Sequence, residues 1–128
     1  MANETILIIE DNEKNRRLAR DVLQFKGYQI LESETAEEGI RLARENQPAL
    51  ILMDFHLPGM NGIQALEALR ADETTRAIPV IAVTASAMTE DRQKIMAAGF
   101  EGLQTKPINV KVFLEAVAQT LQKKAGDP

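Results

Sequence analysis

Short apolar segments alternate with segments of helical period along the whole chain. The apolar segments are rich in β-branched residues, and those near the middle are apolar at almost every position. Strands that are buried on both faces of a parallel sheet have this composition. The predicted strands are Thr5–Ile9, Tyr28–Leu31, Leu50–Met53, Val80–Val83 and a weaker one at Leu103–Thr105.

The intervening segments place apolar residues three or four positions apart, which predicts amphipathic helices. Three such faces are Leu18, Val22 and Phe25; Ile63, Leu66 and Leu69; and Phe113, Ala116, Val117 and Leu121. Residues that favour helix ends or turns lie between them. These are Gly27 and Gly99, the pair Thr35 and Glu38, Asn109, and the loop pairs Pro58-Gly59 and Asn61-Gly62.

The alternation of strands and helices predicts the fold class. It is typical of an α/β protein with a parallel sheet, helices on both faces and right-handed crossovers. The length of 128 residues suits one domain, and no linker or low-complexity segment divides it. We expect a single (βα)5 domain over residues 1–128, with a structured core at about 4–122 and a short tail at 123–128.

Composition excludes several classes of function. The absence of cysteine excludes a disulfide scaffold, a thiolate zinc site and a cysteine nucleophile. A formal net charge of −4 argues against general binding to nucleic acid or to an anionic membrane. Apolar runs such as Ala49–Met53 are far shorter than the ~20 residues that span a bilayer, and the N-terminus has no basic signal segment. A cytoplasmic location is therefore expected.

Polar residues follow four of the predicted strands. Ligands of such sheets bind outside the carboxyl ends of the strands, so the side chains there are expected to converge on one edge. These residues are Glu10 and Asp11 after the first strand, Asp54 at the end of the third, Thr84 at the end of the fourth, and Lys106-Pro107 after the fifth.

This set of residues suits phosphoryl chemistry. Three neighbouring carboxylates repel one another unless cations are present, and Lys106 can supply one positive charge. Mg²⁺ is bound by one or two carboxylates, water and phosphate, and could supply the rest. A carboxylate nucleophile, a bridging metal, and Lys and Thr near the phosphate oxygens would form a working site.

Several motifs resemble those of the response-regulator receiver domains of bacterial two-component signalling. They keep the order and spacing of that family over nearly the whole chain. The motifs are Ile8-Ile9-Glu10-Asp11-Asn12, Leu52-Met53-Asp54, Leu57-Pro58-Gly59-Met60-Asn61-Gly62, Pro79-Val80-Ile81-Ala82-Val83-Thr84-Ala85 and Lys106-Pro107. The segments Glu10–Glu13 and Ala85–Met88 are most similar to single-domain regulators of the DivK type. The resemblance implies a flavodoxin-like, CheY-like sheet with strand order 2-1-3-4-5.

The resemblance also implies roles for individual residues. Asp54 resembles the phospho-accepting aspartate, and Lys106 the lysine that pairs with that carboxylate and then with the phosphoryl group. Mg²⁺, for which Mn²⁺ could substitute, would be bound by Asp54, by Asp11 directly, by Glu10 through water and by the backbone carbonyl of His56.

Other matching positions concern the switch. Thr84 resembles the threonine whose hydroxyl moves to the phosphoryl oxygen, and Ala85 the small residue that leaves room for it. Met88 is assigned to the output surface. Pro107 matches a proline that often follows a cis peptide bond. Leu103 is a departure, because many receivers have Tyr or Phe there, and this puts the usual aromatic readout in doubt.

The predicted function is that of a phosphorelay response regulator rather than an enzyme with an external substrate. Its expected partners are a sensor histidine kinase or histidine phosphotransfer protein and a downstream protein, with no direct DNA binding and a monomer or weak dimer as the oligomeric state. One alternative is a pseudo-receiver that binds partners without phosphorylation. The intact set of Glu10, Asp11, Asp54, Thr84 and Lys106 argues against it. A metal-dependent phosphohydrolase of the haloacid-dehalogenase type is less favoured, since His56 replaces its second aspartate. No P-loop motif is present.

Overall fold

The computed structural model describes residues 4–85 and 89–126, which form one parallel sheet with helices on both faces. The strands are β1 Thr5–Ile9, β2 Gln29–Ser33, β3 Leu50–Asp54, β4 Val80–Thr84 and β5 Gly102–Thr105. The helices are α1 Glu13–Phe25, α2 Ala36–Asn46, α3 Gly62–Ala71, α4 Thr89–Ala98 and α5 Val110–Gly126. The strand order β2-β1-β3-β4-β5 confirms the predicted α/β fold and its order.

The predicted strands agree with the observed ones to within one or two residues. β2 begins one residue later than expected and continues to Ser33, and α5 extends to Gly126, beyond the expected core. None of the helices in the described part of the chain is long and apolar enough to cross a bilayer.

Each central strand sends alternate side chains into two separate cores. On β1, Leu7 and Ile9 pack toward α2, α3 and α4, whereas Ile6 and Ile8 pack toward α1 and α5. β3 divides its side chains in the same way, and all its residues are buried. The sheet is therefore held by packing on both faces. The backbone at the ends of β1 and β3, from which the following residues extend, is rigid for this reason.

Polar side chains cap the start of four helices, α1, α2, α3 and α5. Asn12 accepts a hydrogen bond from the N–H of Asn15, and Asn109 from that of Val112. Thr35 caps α2 as predicted, through the N–H of Glu38. A reciprocal capping box begins α3, where the side chains of Asn61 and Gln64 each bind the other's backbone N–H, and it was not predicted.

One predicted helix face is partly wrong, although its middle residue, Val22, does pack against the core. In α1 the buried residues are Ala19 and Leu23, whereas Leu18 is 40% and Phe25 86% exposed. The buried face is thus turned by about one residue from the predicted one, from Leu18 toward Ala19 and Leu23. The predicted faces of α3 and α5 agree with the structure, in which Leu66, Leu69, Phe113, Val117 and Leu121 are buried.

Gly39 of α2 lies against Ile9, the last residue of β1. A Cβ at position 39 would clash with Cδ1 of Ile9 and would lie 2.6 Å from its Cγ1. Ile9 is fully buried, so its side chain has little room to move away.

We therefore predict that Gly39→Ala lowers the free energy of unfolding. Overpacking costs about 1–3 kcal/mol, and we expect a value toward the upper end because the added methyl would lie 2.6 Å from Cγ1 of a fully buried side chain. The gain in helix propensity, about 1 kcal/mol, then offsets only part of the cost. Urea denaturation would measure the loss. Gly102→Ala is the control, because its added methyl would meet its nearest neighbour, Ile81, at an ordinary 3.6 Å. A Gly39→Ala protein as stable as the wild type would contradict the packing argument.

Candidate functional site

The carboxyl edge of the sheet gathers three acidic side chains. Glu10 and Asp11 follow β1, and Asp54 ends the neighbouring strand β3. One carboxylate oxygen from each residue lies within 4.8 Å of the other two. Glu10 and Asp54 are only 5% exposed, whereas Asp11 is exposed. The site thus has two buried carboxylates and a third at its mouth.

Lys106 brings a positive charge to these carboxylates from the edge strand β5. Its Nζ lies 2.9 Å from Oε1 of Glu10 and 3.3 Å from Oδ2 of Asp54. The lysine follows β5, so its side chain crosses the end of β4 to reach them. Its backbone N–H donates to the carbonyl oxygen of Thr84, which fixes its starting point. The Lys106-Pro107 peptide bond is cis.

Burial and pairing alter the acid–base properties of this group. Removal from water raises the pKa of Glu10 from 4.5 to about 7, although hydrogen bonds from Lys106 and the N–H of Asn12 oppose the rise. The neighbouring Asp54 adds to it. Burial alone would lower the pKa of Lys106, but its hydrogen bond to Glu10 and the charges of Asp54 and Glu10 outweigh burial and raise it. The ammonium group therefore stays charged.

The acceptor candidate Asp54 is oriented by its own loop. Oδ1 of Asp54 accepts a hydrogen bond of 3.0 Å from the backbone N–H of His56. An Asp that binds the backbone two residues later is a common turn feature, so this contact could have been found from the sequence. The side chain of His56 is exposed and its ring packs edge-on against Phe55.

The predicted switch residues lie on β4 and β5. Thr84 is fully buried at the end of β4, beside Thr105 of β5, and Ala85 after it is exposed. Leu103 pairs with Ala82 and is half-buried against the core on the α2–α4 side. Met88 lies outside the described residues.

The donor set fits a hard divalent cation. It consists of carboxylate oxygens, and no histidine or cysteine side chain belongs to the acidic cluster in the described ranges. Oxygen ligands of this kind suit Mg²⁺ or Mn²⁺ rather than zinc or copper. Asp11 has the most open carboxylate, while Glu10 is held by Lys106 and by the N–H of Asn12.

Comparisons with known proteins agree on one family. A family profile described as "Response regulator receiver domain" matches residues 6–118. The polar-differentiation response regulator DivK of Brucella ovis is 42% identical over 118 residues, which cover 92% of this chain and 96% of that protein. A CheY-like response regulator receiver domain protein from Methanospirillum hungatei has a TM-score of 0.89 at 27% identity, covering 99% and 100% of the two chains.

A further solved structure bears on the metal. The receiver domain of sensor histidine kinase PA1611 from Pseudomonas aeruginosa has a TM-score of 0.83 and 31% identity, covering 98% of this chain and 100% of that one. That structure has a magnesium ion coordinated in its active-site cleft.

We predict that Lys106→Met raises the pKa of Glu10 further in metal-free protein. The hydrogen bond from Lys106 lowers this pKa, so without the ammonium group Glu10 should hold its proton above the value of about 7. Carboxyl ¹³C chemical shifts followed against pH would measure this. Lys94→Met is the matched control, since Lys94 is exposed on α4 and has no ion pair with either acid among the described residues. Unchanged titration in Lys106→Met would contradict the assignment.

Proposed function

Because the chain belongs to the response regulator receiver domain family, we propose that it is a phosphorylation-dependent switch of a two-component pathway. In this proposal residues 1–128 act as one receiver domain. The donor is the phosphohistidine of a sensor histidine kinase or of a histidine phosphotransfer protein, and the output is altered binding of a downstream protein. The observation that carries the proposal is the approach of Glu10, Asp11 and Asp54 to one another beside Lys106.

Asp54 is proposed as the phosphoryl acceptor. A carboxylate oxygen of Asp54 forms a bond to phosphorus while the N–P bond of the donor histidine breaks, and the leaving imidazole keeps the electron pair of that bond. The contacts from Lys106 and from the N–H of His56 support this role, because they hold the carboxylate in one orientation. Lys106 would then pair with the phosphoryl oxygens, which requires it to give up one of its two present partners.

We propose that Mg²⁺ is held by Asp54, by Asp11 directly, by Glu10 through water, and by the backbone carbonyl of His56. The metal-bearing cleft of the PA1611 receiver domain supports this choice of ion. A bound Mg²⁺ would supply positive charge that offsets the acceptor carboxylate and the incoming phosphoryl oxygens. The exposed side chain of Asp11 suits a direct ligand, and the two hydrogen bonds on Glu10 suit a contact through water.

Thr84 is proposed as the residue that transmits phosphorylation to the surface. Its place at the end of β4 puts its hydroxyl on the same sheet edge as Asp54, one strand away. Ala85, the small residue after it, would leave space for the phosphoryl group, and Met88 would belong to the output surface. Leu103 has no hydroxyl to hold it in water, so it gains little from leaving its half-buried position.

Asp54→Asn tests the acceptor assignment. The amide has nearly the shape of the carboxylate, so the fold should remain, but the variant should take no acid-labile phosphate from a phosphorylated kinase or from acetyl phosphate with Mg²⁺. Mass spectrometry of intact protein would detect the added phosphoryl group. Asp21→Asn, on the exposed side of α1, is the control and should be labelled like the wild type. Stoichiometric labelling of Asp54→Asn would exclude Asp54 as the sole acceptor.

Thr84→Ala and Leu103→Ala test the switch. We expect Thr84→Ala to uncouple phosphorylation from the conformational change, whereas Leu103→Ala costs stability but retains switching. Backbone NMR spectra with and without beryllofluoride would follow the amide signals of residues 85–88. If these signals respond in Thr84→Ala and are silent in Leu103→Ala, the proposed switch is wrong.

A further inference from the structure

Arg16 binds the backbone of the loop that carries the two acidic residues after β1. Its Nη1 donates a hydrogen bond of 2.9 Å to the carbonyl oxygen of Glu10. Its Nε donates to Oε1 of Glu32 on β2, at 3.2 Å. The Arg16 side chain is only 14% exposed, so it is largely withdrawn from water. One guanidinium thus links α1, the end of β1 and β2.

The carbonyl that Arg16 binds belongs to the peptide bond between Glu10 and Asp11. The N–H of Glu10 is fixed by the carbonyl of Ser33 at 3.0 Å, so β2 holds one side of this residue. β1 has already ended at Ile9, and within residues 4–85 and 89–126 Arg16 is the only donor to the Glu10 carbonyl. The orientation of this peptide plane sets the directions in which the side chains of Glu10 and Asp11 leave the backbone.

Glu32 holds the guanidinium in place. It pairs with Ile8 in the ladder between β1 and β2, so its backbone is part of the sheet. Its second oxygen, Oε2, accepts from Nη1 of Arg20 at 3.4 Å, one helical turn after Arg16. A planar guanidinium donates to two acceptors in fixed directions, which an ammonium group does not reproduce. The next residue, Arg17, differs from Arg16: it is 60% exposed, and its one ion pair among the described residues is with Glu13 on its own helix.

We propose that Arg16, held by Glu32, is a positioning residue for the divalent cation site. It fixes the Glu10–Asp11 peptide so that the carboxylates of Glu10 and Asp11 face the oxygen of Asp54 before any ion arrives. This inference rests on the proposed function, in which these residues bind Mg²⁺. Groups that orient metal ligands without touching the ion commonly change affinity by ~10–100-fold.

Titration calorimetry with MgCl₂ tests the proposal on Arg16→Met and on the matched control Arg17→Met. We expect about tenfold weaker binding in Arg16→Met, with Arg17→Met and the wild type alike. Arg16→Lys should recover little of the loss. A second readout needs no metal. The N–H of Asn12 donates to Oε2 of Glu10 at 3.1 Å, and its hydrogen exchange should be faster in Arg16→Met but unchanged in Arg17→Met.

Glu32→Gln supplies an independent variant if Arg16→Met does not fold. It should weaken Mg²⁺ binding less than Arg16→Met does, and the double variant should bind no more weakly than Arg16→Met, because the two residues act through one contact. If folded Arg16→Met binds Mg²⁺ like the wild type, this inference is overturned and the proposed function is not. Folded Glu32→Gln serves for the same test if Arg16→Met does not fold. A wild-type protein that binds no Mg²⁺ overturns the metal site of the proposed function, and the inference with it.

Discussion

The shared ion pair of Lys106 with Glu10 and Asp54 is the interaction on which the site depends. Two buried carboxylates this close together repel each other, and burial raises the pKa of Glu10 to about 7 even with the hydrogen bond from Lys106 in place. The ammonium group opposes both effects. Breaking a buried pair by removing one partner is costly because it leaves an uncompensated charge. The three residues therefore form one electrostatic unit.

This unit exists only when the sheet is complete. Glu10 follows β1, Asp54 ends β3 and Lys106 follows β5, so β4 must be in place between the acids and their cation. The two cores on the faces of the sheet hold these strands, and close contacts such as that of Gly39 with Ile9 leave them little freedom. The packing of apolar side chains on the two faces of the sheet thus sets the distances within the site.

The contacts of Lys106 also bear on the proposed phosphorylation of Asp54. Lys106 contacts two acids, and only one of them is the proposed acceptor. A phosphoryl group on Asp54 would compete with Glu10 for the same ammonium group. The backbone around Glu10 is held separately, by β2 through the carbonyl of Ser33 and by Arg16 through its own carbonyl. The loop can therefore keep its shape while the ion pairs exchange.

The sequence by itself determined the strands, most helix faces and the residues at the strand ends, because hydrophobic periodicity records which positions are buried. The strand order came from the resemblance to receiver domains. Periodicity was only partly right at α1, where Val22 packs against the core but Ala19 rather than the larger Leu18 is buried. Only the tertiary structure decided that Lys106 binds Glu10 as well as Asp54, and that Arg16 reaches the Glu10 carbonyl and Glu32. Such contacts join residues remote in the chain, and their distances depend on strand placement and side-chain direction, which local sequence patterns do not encode.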